Sequence, residues 1–288
     1  MSLTGEYLYI GVAIKARKAT SFMKKNQDTI TLIIPAYNEE HRIGSTLQQY
    51  GKYFSTQYGD ACEIVVVLNG CTDNTLGVVE EAEKQFPLIR HIEFTEAIGK
   101  GGAIIEGFKQ AKVDLVGFTD ADASTSPETM DRLFITLRNT PTVSCVVGSR
   151  WMPGSVVHNR SMRRNIMSHI FNWAARMYFH LGIKDTQCGA KVLRKEIIPD
   201  ILPNLTISNM AFDVNLLVDV KRNGGEILEM PIEWSDDVRT TIGSPVRTGV
   251  GMFLSMSRLR LLYSPLKFLY PVLAPMSNFL YAILFEKK

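Results

Sequence analysis

Asp120 and Asp122 stand one residue apart where the apolar run of VGFTDAD ends. Two carboxylates held that close repel each other, and a hard divalent cation shared with phosphate oxygens relieves the repulsion. The same D-x-D spacing also suits a solvated turn, and the residues from Ser124 to Glu128 are suited to capping a following helix. Other clusters carry complementary chemistry. In IIPAYNEE, the main chain of Pro35, Ala36, Tyr37 and Asn38 and the carboxylate of Glu39 can hold a ribose or a base, although adjacent Glu residues also favour a helix N-terminus. GKGG, at 99–102, offers Lys100 and backbone N–H groups to a phosphate, or is a plain glycine-rich turn. Arg164 and Ser168 lie one helical turn apart and Arg150 ends the GSR cluster; guanidinium forks suit a phosphate oxyanion, and a solvated basic helix end is the alternative. Asp185 in DTQCG and Asp213 in AFDVN can serve as general bases, cap a turn, or pair with an arginine.

These clusters need a frame that brings them together. TLIIPAYN, EIVVVLNG, IRHIEF, DLVGFTDAD and VSCVVGSR read as five strands, with helical periodicity over His41–Phe54, Val78–Gln85, Gly101–Lys112 and Pro127–Arg138 between them. Short apolar runs alternating with helices predict an α/β fold with a mainly parallel sheet covered on both faces. Ligands of such sheets bind at the carboxyl ends of the strands, so NEE, NGCTDN, GKGG, DAD and GSR should share one rim. After Arg150 the alternation stops. Asn165–Leu181 and Ala211–Lys221 read as helices, DTQCGAK as a turn, and EILEMPIEW as a strand that Pro231 places at an edge or bulge.

Bulk properties exclude several classes. Hydrophobic content of 45% and charged content of 21% describe a folded chain with ample core, and a net charge of +3 is too small to imply nucleic acid. Cys62, Cys71, Cys145 and Cys188 form no CxxC pair and have no His at metal-ligand spacing; with no secretory signal evident, they read as thiols in a reducing compartment. The apolar stretch Tyr7–Ile14 is too short to span a bilayer. Gly251–Leu262 has helical spacing, and Phe268–Phe285 lacks charge but is interrupted by Pro271 and Pro275. Basic and aromatic residues around those runs predict short helices in a membrane interface, with a helical pair packed on the domain as the alternative and a true span third.

IIPAYNEE, LNGCTDN, DAD and GSR, in that order, resemble family 2 glycosyltransferases, inverting nucleotide-sugar enzymes with the GT-A fold, over residues 29–245. DTQCGAK, MAFDVNLL and RNGG followed by PIEW resemble the branch that glycosylates polyisoprenyl phosphates, especially dolichyl-phosphate β-glucosyltransferases. The resemblance implies that Asp122 binds Mg2+ or Mn2+ directly with Asp120 assisting, that Glu39 and Asp73 contact the nucleotide, and that Arg150, Arg164 and Ser168 hold the acceptor phosphate. It implies that Asp185 and Gln187 lie near sugar and acceptor, and that Asp213 lies at the sugar or supports the arginines. Asn69 stands where relatives often carry an Asp that reads the base, which leaves uracil against guanine open. Ala123 replaces a common Gly. Arg239, Arg247 and Gly243–Pro245 fall on an expected mobile loop, where glucosyl relatives often show GSK.

The expectation is a catalytic domain over 29–248, a basic and apolar extension over 1–28, and membrane-associating helices over 249–288, at the cytoplasmic face of a membrane. The expected reaction moves a hexose from UDP-glucose or GDP-mannose to a polyisoprenyl phosphate. The alternatives are the same fold acting on a sugar hydroxyl, a non-catalytic nucleotide-sugar-binding protein, and a nucleotidyltransferase; for the last, IIPAYNEE lacks the Gly/Arg/Lys-rich loop.

Overall fold

A strand buried on both faces reads as a continuous apolar run, because its alternate side chains enter different cores. Ile30, Leu32 and Ile34 pack in one core and Ile33 in the other; Ile64, Val66 and Leu68 are likewise separated from Val65 and Val67. The structure, a computed structural model, describes residues 29–236 and 245–270. In chain order the elements are β1 (Ile30–Ala36), α1 (Ile43–Tyr58), β2 (Cys62–Asn69), α2 (Thr75–Gln85), β3 (Ile89–Phe94), α3 (Gly99–Gln110), β4 (Leu115–Phe118) and α4 (Pro127–Asn139). They continue with β5 (Val143–Ser149), β6 (Val156–His158), α5 (Met162–Phe179), β7 (Lys191–Arg194), the single turn α6 (Ile198–Ile201), α7 (Phe212–Arg222), β8 (Glu226–Pro231), β9 (Glu233–Ser235) and α8 (Pro245–Leu262).

Seven strands form one sheet in the order β3-β2-β1-β4-β7-β5-β8, parallel except for β7, which runs antiparallel to both β4 and β5. β6 and β9 form a separate two-stranded parallel ribbon. Side chains at helical spacing on α1 (Ile43, Leu47, Tyr50, Phe54) fill one core, and Ala103, Ile104 and Phe108 of α3 fill the other. Ser126 caps α4 by accepting the Thr129 N–H, with Pro127 at the first helical position.

Two expectations are corrected. DTQCGAK is a turn only as far as Ala190; its lysine begins β7, which is too short and too close to the turn to show a period of its own. EILEMPIEW is two strands, not one. β8 is the edge of the large sheet, and after Pro231, which has no N–H, the chain passes to the ribbon as β9. The boundary expected at 248/249 falls inside α8, whose Met252, Met256 and Leu259 are buried. The segment 1–28, Arg239, Gly243 and the expected helices beyond Tyr270 lie outside the described residues.

α8 is tied to α7 by a polar network. The Tyr263 hydroxyl donates to both oxygens of Asp219 at 2.6 Å, and Asn215 Nδ2 donates to Asp219 at 2.5 Å. Burial pushes the Asp219 carboxyl up from 3.8 to about 6, against the opposing effect of the Tyr263 hydrogen bond. The folded chain therefore holds this proton more tightly than the unfolded chain, and ionisation costs stability as pH rises from about 4 to about 6. Asp219→Asn should gain in Tm relative to the parent over that interval and level off above it. A Tm difference constant from pH 4 to 7 would contradict this coupling.

Candidate active site

The rim is laced together before any ligand arrives. After β1 the chain turns at Asn38, in the left-handed region at φ 53°, and its Oδ1 accepts the Thr72 N–H at 2.8 Å. The Glu39 N–H donates to Thr75 Oγ1 at 2.8 Å and the Glu40 N–H to Asp73 Oδ2 at 3.2 Å. The loops after β1 and β2 thus form one platform beneath exposed Tyr37, with Pro35 and buried Ala36 at the end of β1. The Glu39 carboxylate pairs with Arg42 (Nε to Oε2, 2.6 Å). Burial pushes its pKa up, against Arg42 and with the nearby charges of Asp122 and Asp120. Asp73 is held below the ordinary carboxylate range: burial opposes ionisation, and hydrogen bonds from Thr75 and the Glu40 backbone outweigh it.

Asn69 and GKGG have other work. Asn69 Oδ1 accepts the N–H groups of Ile98 (2.6 Å) and Gly99 (3.1 Å), so it fastens the loop before α3. The Gly101 N–H donates to the Ser208 carbonyl at 2.7 Å. A Cβ at Gly99 would lie 2.4 Å from that carbonyl oxygen, and one at Gly101 2.5 Å from the Ile207 oxygen. These glycines let α3 pack onto the 207–208 segment, and the N–H groups of Gly99 and Gly101 are used within the protein rather than facing a phosphate. Lys100 alone turns to the rim, with Nζ 2.6 Å from Asp120 Oδ1 and 3.9 Å from Asp213 Oδ2.

Asp120 and Asp122 differ in state. Burial works against ionisation of Asp120, but Lys100, then Lys191 and Arg150, outweigh it and hold it low. Asp122 is pushed up by burial and by the Asp120 charge, against hydrogen bonds from the Ser124 N–H and hydroxyl. Ala123, directly after Asp122, sits at φ 57°, where an L-residue costs about 1–2 kcal/mol, so a Gly fits this turn better. Gly189 of DTQCG is needed for another reason: a Cβ there would lie 2.0 Å from Asp120 Oδ2. Among the described residues no three His, Cys, Asp or Glu side chains gather as a metal-binding group. The donor set fits a hard cation completed by diphosphate oxygens: Ser124 takes only Asp122 Oδ1, while Asp120 answers to Lys100.

The rim at the end of β5 is built on a buried pair. Arg150 Nε and Nη2 donate to the two oxygens of Asp185 at 2.7 and 2.9 Å, and the Arg150 backbone N–H donates there as well at 3.0 Å. The Asp185 side chain is 0% exposed and that of Arg150 8%. Burial disfavours the Asp185 charge, but Arg150 outweighs it and holds the carboxyl low. The Arg150 guanidinium also lies 5.1 Å from the Trp234 ring. Arg164 lies on α5, one turn before Ser168. Asn172 of the same helix donates to the Ser168 carbonyl and accepts from the Thr186 N–H and hydroxyl, which links Ser168 to the Asp185 turn. Gln187 reaches Met252 of α8 at 3.9 Å. Asp213 pairs with Lys191 rather than with an arginine, Nζ to Oδ1 at 2.5 Å.

Lys191, Arg42, Asn172 and Glu229, which accepts the N–H groups of Lys184 and Asp185, are absent from the sequence-derived set. Lys191 alone left a signal, a lysine that closes the DTQCGAK motif and opens an apolar strand. Arg150→Met should destabilise by about 3–5 kcal/mol in urea titration by stranding Asp185, with Arg150→Met/Asp185→Asn recovering more than half. A loss under about 1 kcal/mol, as for a surface pair, would refute the burial argument.

The sequence model described as Glycosyl transferase family 2 matches residues 31–202. The dolichyl-phosphate beta-glucosyltransferase of Saccharomyces cerevisiae is 31% identical over 254 residues, covering 80% of this chain and 76% of that one. Glycosyltransferase AglD of Haloferax volcanii is 27% identical over 77% of this chain, which spans only 35% of that protein's length. Glucosyl-3-phosphoglycerate synthase of Mycobacterium tuberculosis, solved with Mn2+, uridine diphosphate and glucosyl-3-phosphoglycerate, superposes with a TM-score of 0.60 at 19% identity, over 81% of this chain and 79% of that one.

Proposed function

The chain belongs to glycosyl transferase family 2, and from that premise we propose that it transfers glucose from UDP-glucose to a polyisoprenyl phosphate with inversion. The observation that carries the acceptor is the state of Asp185 and Asp213, the two candidate bases. Asp185 is tied to Arg150 and held low, and Asp213 is tied to Lys191. A sugar hydroxyl needs a base to take its proton, whereas a phosphate is already an anion near neutral pH and attacks without one. The names of the yeast relative and of others from Dictyostelium discoideum and Mus musculus support dolichyl phosphate as that acceptor and glucose as the sugar.

In this reading the platform of Tyr37, Glu39 and Asp73 receives the nucleoside, and Gln187 lies toward the sugar. A Mg2+ or Mn2+ ion held by Asp122, with Asp120 beside it, would supply positive charge to neutralise the departing diphosphate. Lys100 adds fixed positive charge at the same place. Arg150 keeps the Asp185 turn in position, and Arg164 and Ser168 of α5 are the residues proposed to bind the acceptor phosphate.

A lipid acceptor requires contact with a bilayer. No helix among the described residues is long and apolar enough to cross one. Met162, Ile166, Ile170, Trp173 and Met177 recur at helical spacing on α5 and are all exposed, Trp173 by 64%. Phe253 of α8 meets Tyr178 of α5 edge-on at 5.8 Å, and Val250, Leu266 and Phe268 continue the exposed apolar surface. Neither helix contains Asp or Glu, while Arg176, Arg260 and Lys267 are exposed. Burying a side chain of this size is worth about 1.5–3 kcal/mol. An apolar face flanked only by cations suits the anionic cytoplasmic leaflet.

Two experiments test this reading. With labelled UDP-glucose or GDP-mannose, dolichyl phosphate and Mg2+ or Mn2+, the purified protein should yield labelled lipid, with glucose preferred. Asp122→Ala should lower the rate by about a hundredfold or more, and Asp120→Ala less. No labelled lipid from any donor sinks the proposal, and transfer to free sugars instead restores a hydroxyl acceptor. In flotation with phosphatidylserine vesicles, Ile170→Asp/Trp173→Asp should lower the bound fraction severalfold with little change in Tm. Undiminished binding would remove α5 from the membrane contact.

A further inference from the structure

Lys191 is completely buried, and an ammonium taken out of water costs several kcal/mol unless it is paired. It begins β7, in register with Phe118 of β4 and Val147 of β5, directly under the DAD turn. Its Nζ donates to Asp213 Oδ1 and to the Cys188 carbonyl, both at 2.5 Å, and lies 5.5 Å from the centre of the Phe118 ring. Asp213 is itself buried in the first turn of α7, with its other oxygen 3.9 Å from Lys100 Nζ. Lys100 thus stands between two carboxylates and sits against Asp120, at 2.6 Å. Two lysines and two aspartates alternate in a row from the core to the rim.

We propose that Lys191 is a positioning residue of the donor site: by holding Asp213 it leaves Lys100 to Asp120, and it keeps the row neutral beneath the place where an anionic diphosphate binds. Without its charge, Asp213 draws Lys100 off Asp120 and the ground under the diphosphate carries one more negative charge. Anion binding weakens and bare cation binding does not. The inference rests on the donor-site reading above. Nucleotide binding, measured without acceptor or transfer, tests it separately from the lipid reaction.

The experiment is calorimetric titration of the purified protein with Mn2+ alone and with UDP in the presence of Mn2+, alongside thermal melting. Lys191→Met should raise the Kd for UDP about tenfold while leaving that for Mn2+ equal or lower. Lys191→Met/Asp213→Asn, which removes the competing carboxylate and restores neutrality, should return the Kd for UDP to within about threefold of the parent. A double variant as weak as the single one, or a Lys191→Met protein with unaltered UDP binding, overturns the proposal. If Lys191→Met does not fold, Asp213→Asn decides. It frees Lys100 from competition, so UDP binding should stay within about threefold while Tm falls, and a tenfold loss of binding overturns the proposal. A parent protein that binds no UDP with Mn2+ refutes the donor-site reading and this proposal together.

Discussion

Charge brought under the rim of the sheet has to be matched there, because little or no water reaches it. Asp120 meets Lys100, Asp213 meets Lys191, and Asp185 meets Arg150. Each pair joins different elements: the end of β4 with α3, α7 with β7, and the end of β5 with the turn before β7. An unpaired ion at such depth is far costlier than an exposed one, so the pairs fix how these elements sit relative to each other. Asp122 is the exception. It lies beside ionised Asp120, with Ser124 as its hydrogen-bond partner, and its raised pKa marks a carboxylate that gains from added positive charge.

Close backbone packing keeps that arrangement rigid. Gly189 lets the turn before β7 press against Asp120, and Gly99 and Gly101 let α3 rest on the 207–208 carbonyls. The same 206–207 segment donates two N–H groups to Asn215 Oδ1, and Asn215 joins Asp219 and Tyr263 of the α8 region. A continuous polar path therefore runs from α8 through α7 to the N-terminus of α3 and Lys100. The helix that carries exposed Phe253 is thus mechanically joined to the side chain that holds Asp120.

The two halves of the rim are of different character. The half proposed for the donor is hydrogen-bonded loop to loop and carries the carboxylates Glu39, Asp73, Asp120 and Asp122. The half proposed for the acceptor is aromatic and basic, with Arg150 over Trp234 and the ring centres of Trp151 and His169 of α5 3.9 Å apart. Under the proposed function, a phosphate acceptor arriving from a membrane would meet cations first and the carboxylates proposed to hold a metal only at the reaction centre. That order would keep two anionic substrates apart until they are in place.

Much of this was legible from residue order. Continuous apolar runs that alternate with helical periods leave little choice but a covered parallel sheet, and the strand-end rule then gathers NEE, DAD and GSR on one rim. Sequence could not tell which charge would neutralise which, because the partners lie far apart in the chain: Asp120 with Lys100, Asp213 with Lys191, Asp185 with Arg150. It gave Arg150 to an acceptor phosphate by resemblance and left the GKGG amides between a phosphate and a plain glycine-rich turn. In the fold Arg150 pairs with Asp185, and the amides of Gly99 and Gly101 bond to Asn69 and Ser208. Local pattern determined the elements and the residue types at their ends. Only the tertiary structure decided the pairing, because desolvation makes each buried charge take whichever counter-charge the packing brings within reach.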